Sequence, residues 1–212
     1  MQNFSAFTEE TIKQIKLSGK KPSLLLHACC APCASYVIEY LSDYFNITLF
    51  YYNPNISPKS EYDFRLSELN RFISEHPKAK GITVLPCEYN PEEFYFIAKG
   101  LEDLKEGQER CKLCYELRLR KTAEAAKKGG FDFFTTTLTI SPYKNAAWLN
   151  EIGENLMKEF SANYLFSDFK KKNGYKRSIE LSKEYNLYRQ DFCGCAYSKA
   201  QAQSHRLEKT VD

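Results

Sequence analysis

The chain has 212 residues, 43% of them hydrophobic and 15% aromatic, with 30 Lys and Arg against 27 Asp and Glu for a net charge of +3. That composition can bury one sizeable core and excludes a disordered, collagenous or coiled-coil chain. Residues 1–10 hold no basic stretch leading into an apolar one, and no run approaches the roughly 18 apolar residues of a membrane helix, so a soluble cytoplasmic protein with no membrane partner is expected.

In chain order, apolar runs bounded by turn residues predict strands over 23–27, 46–52, 81–85 and 132–137, with a weaker fifth over 164–166. Helical patterns fall between them, near 32–44, 58–75, 110–128 and 143–160, the third closed by Gly129 and Gly130. Strand and helix in alternation mean an α/β fold, a parallel sheet with helices on both faces. No linker or repeat divides it. We therefore expect one domain over 1–212, with a core over about 22–167 and a helical extension over about 168–212 carrying a basic loop and a Cys-Gly-Cys motif.

Seven of the eight cysteines fall in three tight groups, at 29/30/33, 111/114 and 193/195. In a reducing compartment such clustering points to metal ligation or redox chemistry. The first group, His27-Ala28-Cys29-Cys30-Ala31-Pro32-Cys33, follows the first strand, where an open α/β sheet binds its ligand. Nucleotide-binding folds fill that turn with glycine so that backbone amides can approach phosphate, yet no glycine stands between Leu24 and Tyr36, which argues against ATP. Cys29 and Cys30 are neighbours on extended backbone, so their side chains are expected to diverge toward different metals.

The second group opens a helix, where Cys111 and Cys114 face one side, and the helix N-terminus with Arg110 and Arg118 should favour thiolate. In the third, Gly194 lets the chain turn tightly enough for Cys193 and Cys195 to reach one site, and Asp191 adds a hard oxygen donor two residues upstream. Seven thiols exceed the four ligands of a closed zinc site. A [4Fe–4S] cluster beside a mononuclear metal accounts for the number, and spacing leaves open which cysteine serves which centre. Cys87, with no cysteine neighbour, reads as a buried free thiol.

Two further stretches read as facing a substrate. Residues 135–144 leave the fourth strand with five Ser and Thr hydroxyls, which either hold a polar ligand or cap the next helix. Residues 166–177 pack Lys170, Lys171, Lys172, Lys176 and Arg177 with Tyr175 and two Phe, cations for phosphates and rings for unstacked bases.

Taken together, HACCAPCAS at 27–35, ERCKLCYELRL at 109–119, TTTLTISPYK at 135–144 and YRQDFCGC at 188–195 resemble the QueH-type epoxyqueuosine reductases, over about residues 22–200. The resemblance implies an adenine-nucleotide-hydrolase-like α/β fold with a [4Fe–4S] cluster and an adjacent iron where ATP-dependent tRNA-modifying enzymes hold ATP. It implies the last step of queuosine biosynthesis, removal of the epoxide oxygen from epoxyqueuosine at the tRNA wobble position, with neither cobalamin nor ATP. Carried onto this chain, Cys29, Cys30, Cys33, Cys111, Cys114, Cys193 and Cys195 would be metal ligands and Asp191 the oxygen ligand. Tyr115, Tyr143 and Lys144 would be candidate proton donors, Lys170 to Lys172, Tyr175, Lys176 and Arg177 would contact tRNA, and an external one-electron donor is required. The rivals are a zinc-stapled tRNA-binding protein without redox chemistry, an ATP-using tRNA thiolase, which would need the missing glycine-rich loop, and a disulfide oxidoreductase, which would leave most of the cysteines unused.

Overall fold

A computed structural model describes residues 2–209. Its centre is β1 (Ser23–His27), a run of three leucines with no solvent exposure, so both faces of this strand must be covered. Around it lie β2 (Asn46–Phe50), β3 (Thr83–Leu85), β4 (Phe133–Thr136) and β5 (Asn163–Tyr164), all parallel, in the order β3-β2-β1-β4-β5. The chain builds outward from β1 to β3 and then returns to the other side of β1 for β4. The switch point of the sheet is therefore the gap beyond the carboxyl ends of β1 and β4.

Because strand side chains alternate, Leu24 and Leu26 enter one core and Leu25 the other. The first core is closed by α1 (Phe4–Ser18), α2 (Ala31–Leu41) and α3 (Lys59–Glu75), through residues such as Ile12, Ile15, Val37, Ile38, Leu69 and Phe72. The second is closed by α5 (Glu109–Gly129) and α6 (Ala146–Phe160), through Tyr115, Leu119, Ala123, Leu149 and Ile152. Between β3 and α5 lies the short α4 (Glu92–Ala98). After β5 come α7 (Gly174–Glu184), packed on α2, and α8 (Ala196–Lys209). Phe169 and Leu187, from the stretch read as an extension, belong to the same buried cluster as α2. The α/β architecture expected from the sequence is present, with helices on both faces.

Local chemistry explains where the element ends differ. The 143–160 helix starts only at Ala146, because the Asn145 side chain accepts from the Ala147 and Trp148 amides and fixes the cap there. Helix α5 ends on Gly130 at φ 66, a left-handed position that glycine takes without strain. The fifth strand lies at Asn163–Tyr164 and shares only Tyr164 with the predicted 164–166. Helices α1 and α4 have no sequence-based counterpart. Helix α1 is held by Ile12 and Ile15 in the core, by the Thr8 hydroxyl donating to the Phe166 carbonyl at 2.7 Å, and by Phe4 and Phe7 against the Phe166 ring.

His27, at the end of β1, is wholly buried, with Nδ1 2.8 Å from the Thr136 hydroxyl and Nε2 3.1 Å from the Tyr52 carbonyl. A carbonyl can only accept, so Nε2 carries the proton and Nδ1 accepts from Thr136, whose oxygen in turn accepts from the Leu138 amide. Burial first, and the Arg118 charge second, lower its pKa from 6.5 to about 4. Folded His27 stays neutral while the unfolded chain takes up the proton, so stability falls as pH drops below about 6.5, and the loss levels off near pH 4 at about 3 kcal/mol. Chemical unfolding of wild type and His27→Gln across pH 7 to 4 should show that much extra acid sensitivity in the wild type. Parallel curves would remove His27 from the acid response.

Candidate metal centre

The first cysteine group lies at the switch point, Cys193 of the third lines the same cleft, and Cys114 of the second packs beside Cys195. The chain bends at Cys29 after β1, and Cys30, extended at φ −172 and ψ 165, caps α2 with Pro32 in its first turn. The bend brings Cys29 and Cys30 together, with their sulfurs 3.8 Å apart, and with Cys33 they form a trio whose Sγ atoms all lie within 4.8 Å of one another. The two adjacent side chains converge on one site, contrary to the divergence expected of extended backbone. A single ion with metal–sulfur bonds of about 2.3 Å and tetrahedral angles spaces its ligand sulfurs by about 3.8 Å. Among the described residues no other trio of His, Cys, Asp or Glu donors converges as tightly.

The other four thiols form a looser set. Cys114 and Cys195 pack with Phe94 and Ala98 of α4, and Cys193 lies near enough to act electrostatically on Cys111, Cys114 and Cys195 alike. The segment carrying Cys193 and Cys195 is tied down by the Ser57 amide donating to the Gly194 carbonyl at 3.0 Å and by Arg65 Nη1 donating to the Cys193 carbonyl at 3.2 Å. Gly194 sits at φ 117, and a Cβ there would stand 2.9 Å from the Arg65 guanidinium, so the glycine is required for both conformation and space. Cys87 stands apart, donating to the Tyr51 carbonyl at 3.0 Å.

Protonation differs between the sets. Hydrogen bonds from Cys30 and Cys33 hold the Cys29 thiol well below its usual value, while Cys30 is pushed up to about 12 and Cys33 is also raised, each first of all by its hydrogen bond to Cys29. Burial pushes Cys111, Cys114 and Cys195 up, Cys114 to about 12. Thiolates are therefore not favoured at Cys111 and Cys114, and at Cys114 loss of water outweighs the Arg118 charge. Arg110 gives no help there either, because its Nη1 is spent on the carbonyls of Leu101, Glu102 and Leu104. A metal binding these thiols displaces their protons and supplies the missing counter-charge.

A cleft of about 1460 Å³ opens onto Cys29, Cys30, Cys33 and Cys193. Lys144, only 8% exposed, reaches into it, its Nζ donating to the Cys193 sulfur at 3.1 Å and to Glu106 at 2.8 Å. Burial works against its charge, but Cys193, Tyr115 and Glu106 outweigh that and hold its pKa well above normal. Asp191 lies exposed on the cleft wall, and so does Tyr143, 77% exposed. Tyr115 is buried outside the lining. The hydroxyls of residues 135–141 mostly turn inward: Thr135 donates to the Leu165 carbonyl, Thr136 caps the turn at Leu138, and Thr139 pairs with Ser167. Thr137 faces the thiols, 3.9 Å from the Cys29 sulfur, and Ser141 lines the cleft.

The basic stretch is less open than its composition suggests. Lys170 pairs with Asp168, Lys172 with Glu9 and Arg177 with Glu39, leaving Lys171 and Lys176 exposed and Tyr175 on the cleft wall. Arg189, which the sequence analysis did not single out, stacks over the Tyr175 ring at 5.9 Å and lines the same cleft.

The residues fit metal–sulfur groups on one further observation. Among the described residues, Nη2 of Arg65, Arg110 and Arg118 and the Tyr115 hydroxyl are buried without a hydrogen-bond partner. Buried donors left dry are costly, and an anionic group beside the thiols would satisfy them.

Comparison with known proteins agrees. The chain matches the family described as epoxyqueuosine reductase QueH over residues 24–201. The epoxyqueuosine reductase QueH of Streptococcus pyogenes serotype M1 is 43% identical over 198 residues, covering 92% of this chain and 78% of that one. Its counterpart in Staphylococcus epidermidis is 41% identical over 200 residues, covering 92% and 84%, and that of Thermotoga maritima 34% over 189, covering 88% and 95%. Among solved structures, the U34-tRNA thiolase NcsA of Methanococcus maripaludis with its [4Fe-4S] cluster superposes with a TM-score of 0.52 at 15% identity, over 97% of this chain and 74% of that one, a likeness of fold. With a family match over most of its length and relatives up to 43% identical, the chain belongs to the QueH family of epoxyqueuosine reductases.

Proposed function

We propose that the chain is an oxidoreductase that converts epoxyqueuosine in tRNA to queuosine. The observation that carries the reading is the convergence of Cys29, Cys30 and Cys33 at the switch point, with Cys193 on the same cleft wall. Removing an epoxide oxygen as water consumes two electrons and two protons and leaves an alkene, so the site must bind the nucleoside, receive electrons from an external one-electron donor and deliver protons.

Cys111, Cys114, Cys193 and Cys195 would hold a [4Fe–4S] cluster, and Cys29, Cys30 and Cys33, completed by Asp191, a single iron. When bound, the cluster would supply electrons one at a time and the iron a Lewis acid. The chain's own contribution is the cleft. Lys144, an ammonium held between Glu106 and Cys193, is the group best placed to donate a proton to the departing oxygen, and Glu106 keeps it oriented. Tyr143 and Tyr175 offer ring faces for bases, and Lys171, Lys176 and Arg189 offer cations for the tRNA backbone.

Three measurements test this. Anaerobically purified protein with reductant should convert epoxyqueuosine to queuosine in tRNA, read by nucleoside mass spectrometry, whereas a colourless zinc protein without turnover would favour the RNA-binding rival. Cys114→Ala should lose sulfide and the absorbance near 400 nm, while Cys33→Ala should keep sulfide and lose iron; the opposite pattern would reverse the division of ligands. Lys144→Met should retain iron and sulfide and lose about a hundredfold or more in turnover. Full turnover would remove Lys144 from proton delivery.

A further inference from the structure

Three arginines among the described residues are almost wholly buried, and they are not equally provided for. Arg65 has Glu61 at 2.7 Å, and Arg110 has three carbonyl acceptors. Arg118 has little. Its Nε donates to the Cys114 carbonyl of its own helix at 3.3 Å, its Nη1 reaches Asn53 Oδ1 only at 3.5 Å, and its Nη2 meets no acceptor. No carboxylate forms an ion pair with it among the described residues. Burial works against its charge most; the groups that favour that charge are the thiols of Cys114 and Cys193 from one set and Cys29 from the other, followed by the Tyr115 phenol.

Its position makes that isolation informative. On α5, Cys111, Cys114 and Arg118 follow one another along one face, at spacings of three and four residues. On the other side, Asn53 accepts from Arg118 and donates to the Ala28 carbonyl at 2.9 Å, one residue before Cys29. Arg118 thus stands between the two thiol sets. A packing role would be met by an apolar side chain at less desolvation cost, so a buried guanidinium with an unmet Nη2 at the edge of the cleft calls for a counter-ion.

We propose that Arg118 is the shared counter-charge of the two metal sites, a positioning residue whose fixed positive charge favours electron uptake at the cluster. The inference rests on the functional reading above. Reduction of the cluster breaks no bond. It adds one electron from an external one-electron donor and one negative charge to a group already ligated by thiolates. A cation buried nearby stabilises that added charge, because little solvent screens it, and removing the cation lowers the reduction potential.

The test uses anaerobically purified holoprotein as wild type, Arg118→Gln and Arg118→Lys, comparing iron and sulfide content, circular dichroism, and the cluster's midpoint potential by redox titration. Arg118→Gln should keep the wild-type ratio of iron to sulfide and titrate at a more negative potential, with Arg118→Lys close to wild type. An unchanged potential in Arg118→Gln, or equal displacement in both variants, would overturn the proposal, since packing rather than charge would then be at stake. Should Arg118→Gln not retain the cluster, Arg118→Lys decides: a cluster near the wild-type potential supports the proposal, and its loss there too refutes it. Zinc in place of iron and sulfide in the wild type would overturn the functional reading itself.

Discussion

A guanidinium group taken out of water needs an anion beside it, and a thiol taken out of water resists becoming one. Among the described residues, three buried arginines lie around seven cysteines in three groups, and neither population is satisfied by the other alone. Most of the thiols are pushed toward their protonated form by burial or by one another, while guanidinium nitrogens beside them lack acceptors. A metal resolves both at once, because it displaces the thiol protons and leaves a set of thiolates against the fixed cations. The rest of the structure holds these two populations in contact.

The sheet does so through its strand order. With β1 between β2 and β4, the two strand ends that define the switch point carry the first cysteine group and the Thr137 turn. Helix α5 brings Cys111, Cys114 and Arg118 along one face, and α4 closes over Cys114 and Cys195. The loop leading into α5 is shaped by Arg110, which gathers the carbonyls of Leu101, Glu102 and Leu104, and by Gln201 of α8, which accepts from the Glu106 amide. That loop presents Glu106 to Lys144. A single buried lysine in the cleft is thus oriented by residues from three parts of the chain.

The sequence disclosed what is encoded locally. Runs of Leu, Ile, Val and Phe marked four strands, and paired cysteines with their flanks marked the site, because spacings of one to three residues survive folding unchanged. Lost to it were relations between distant residues. Lys144 meets Cys193 across 49 positions, and Arg118 differs from Arg110 only in what the fold brings near it. The basic stretch looked like an open cationic surface because Glu9 and Glu39, which neutralise Lys172 and Arg177, lie more than a hundred residues upstream. Helix α1 is not legible in the sequence, since only Thr8, Ile12 and Ile15 along it are buried, too sparse a stripe to read without its partner. Alternation along extended backbone predicts that Cys29 and Cys30 part, whereas the chain bends after the strand and brings them together.

The anchoring of the Cys193 to Cys195 segment bears on how the protein comes into being. That segment is fastened at Ser57 and Arg65, contacts which exist only after β1, β2 and α3 have come together, and it is itself synthesised well over a hundred residues later. The ribosome must therefore release nearly the whole described chain before the sulfur shell can close. The first two cysteine groups thus wait for their third until translation is nearly complete.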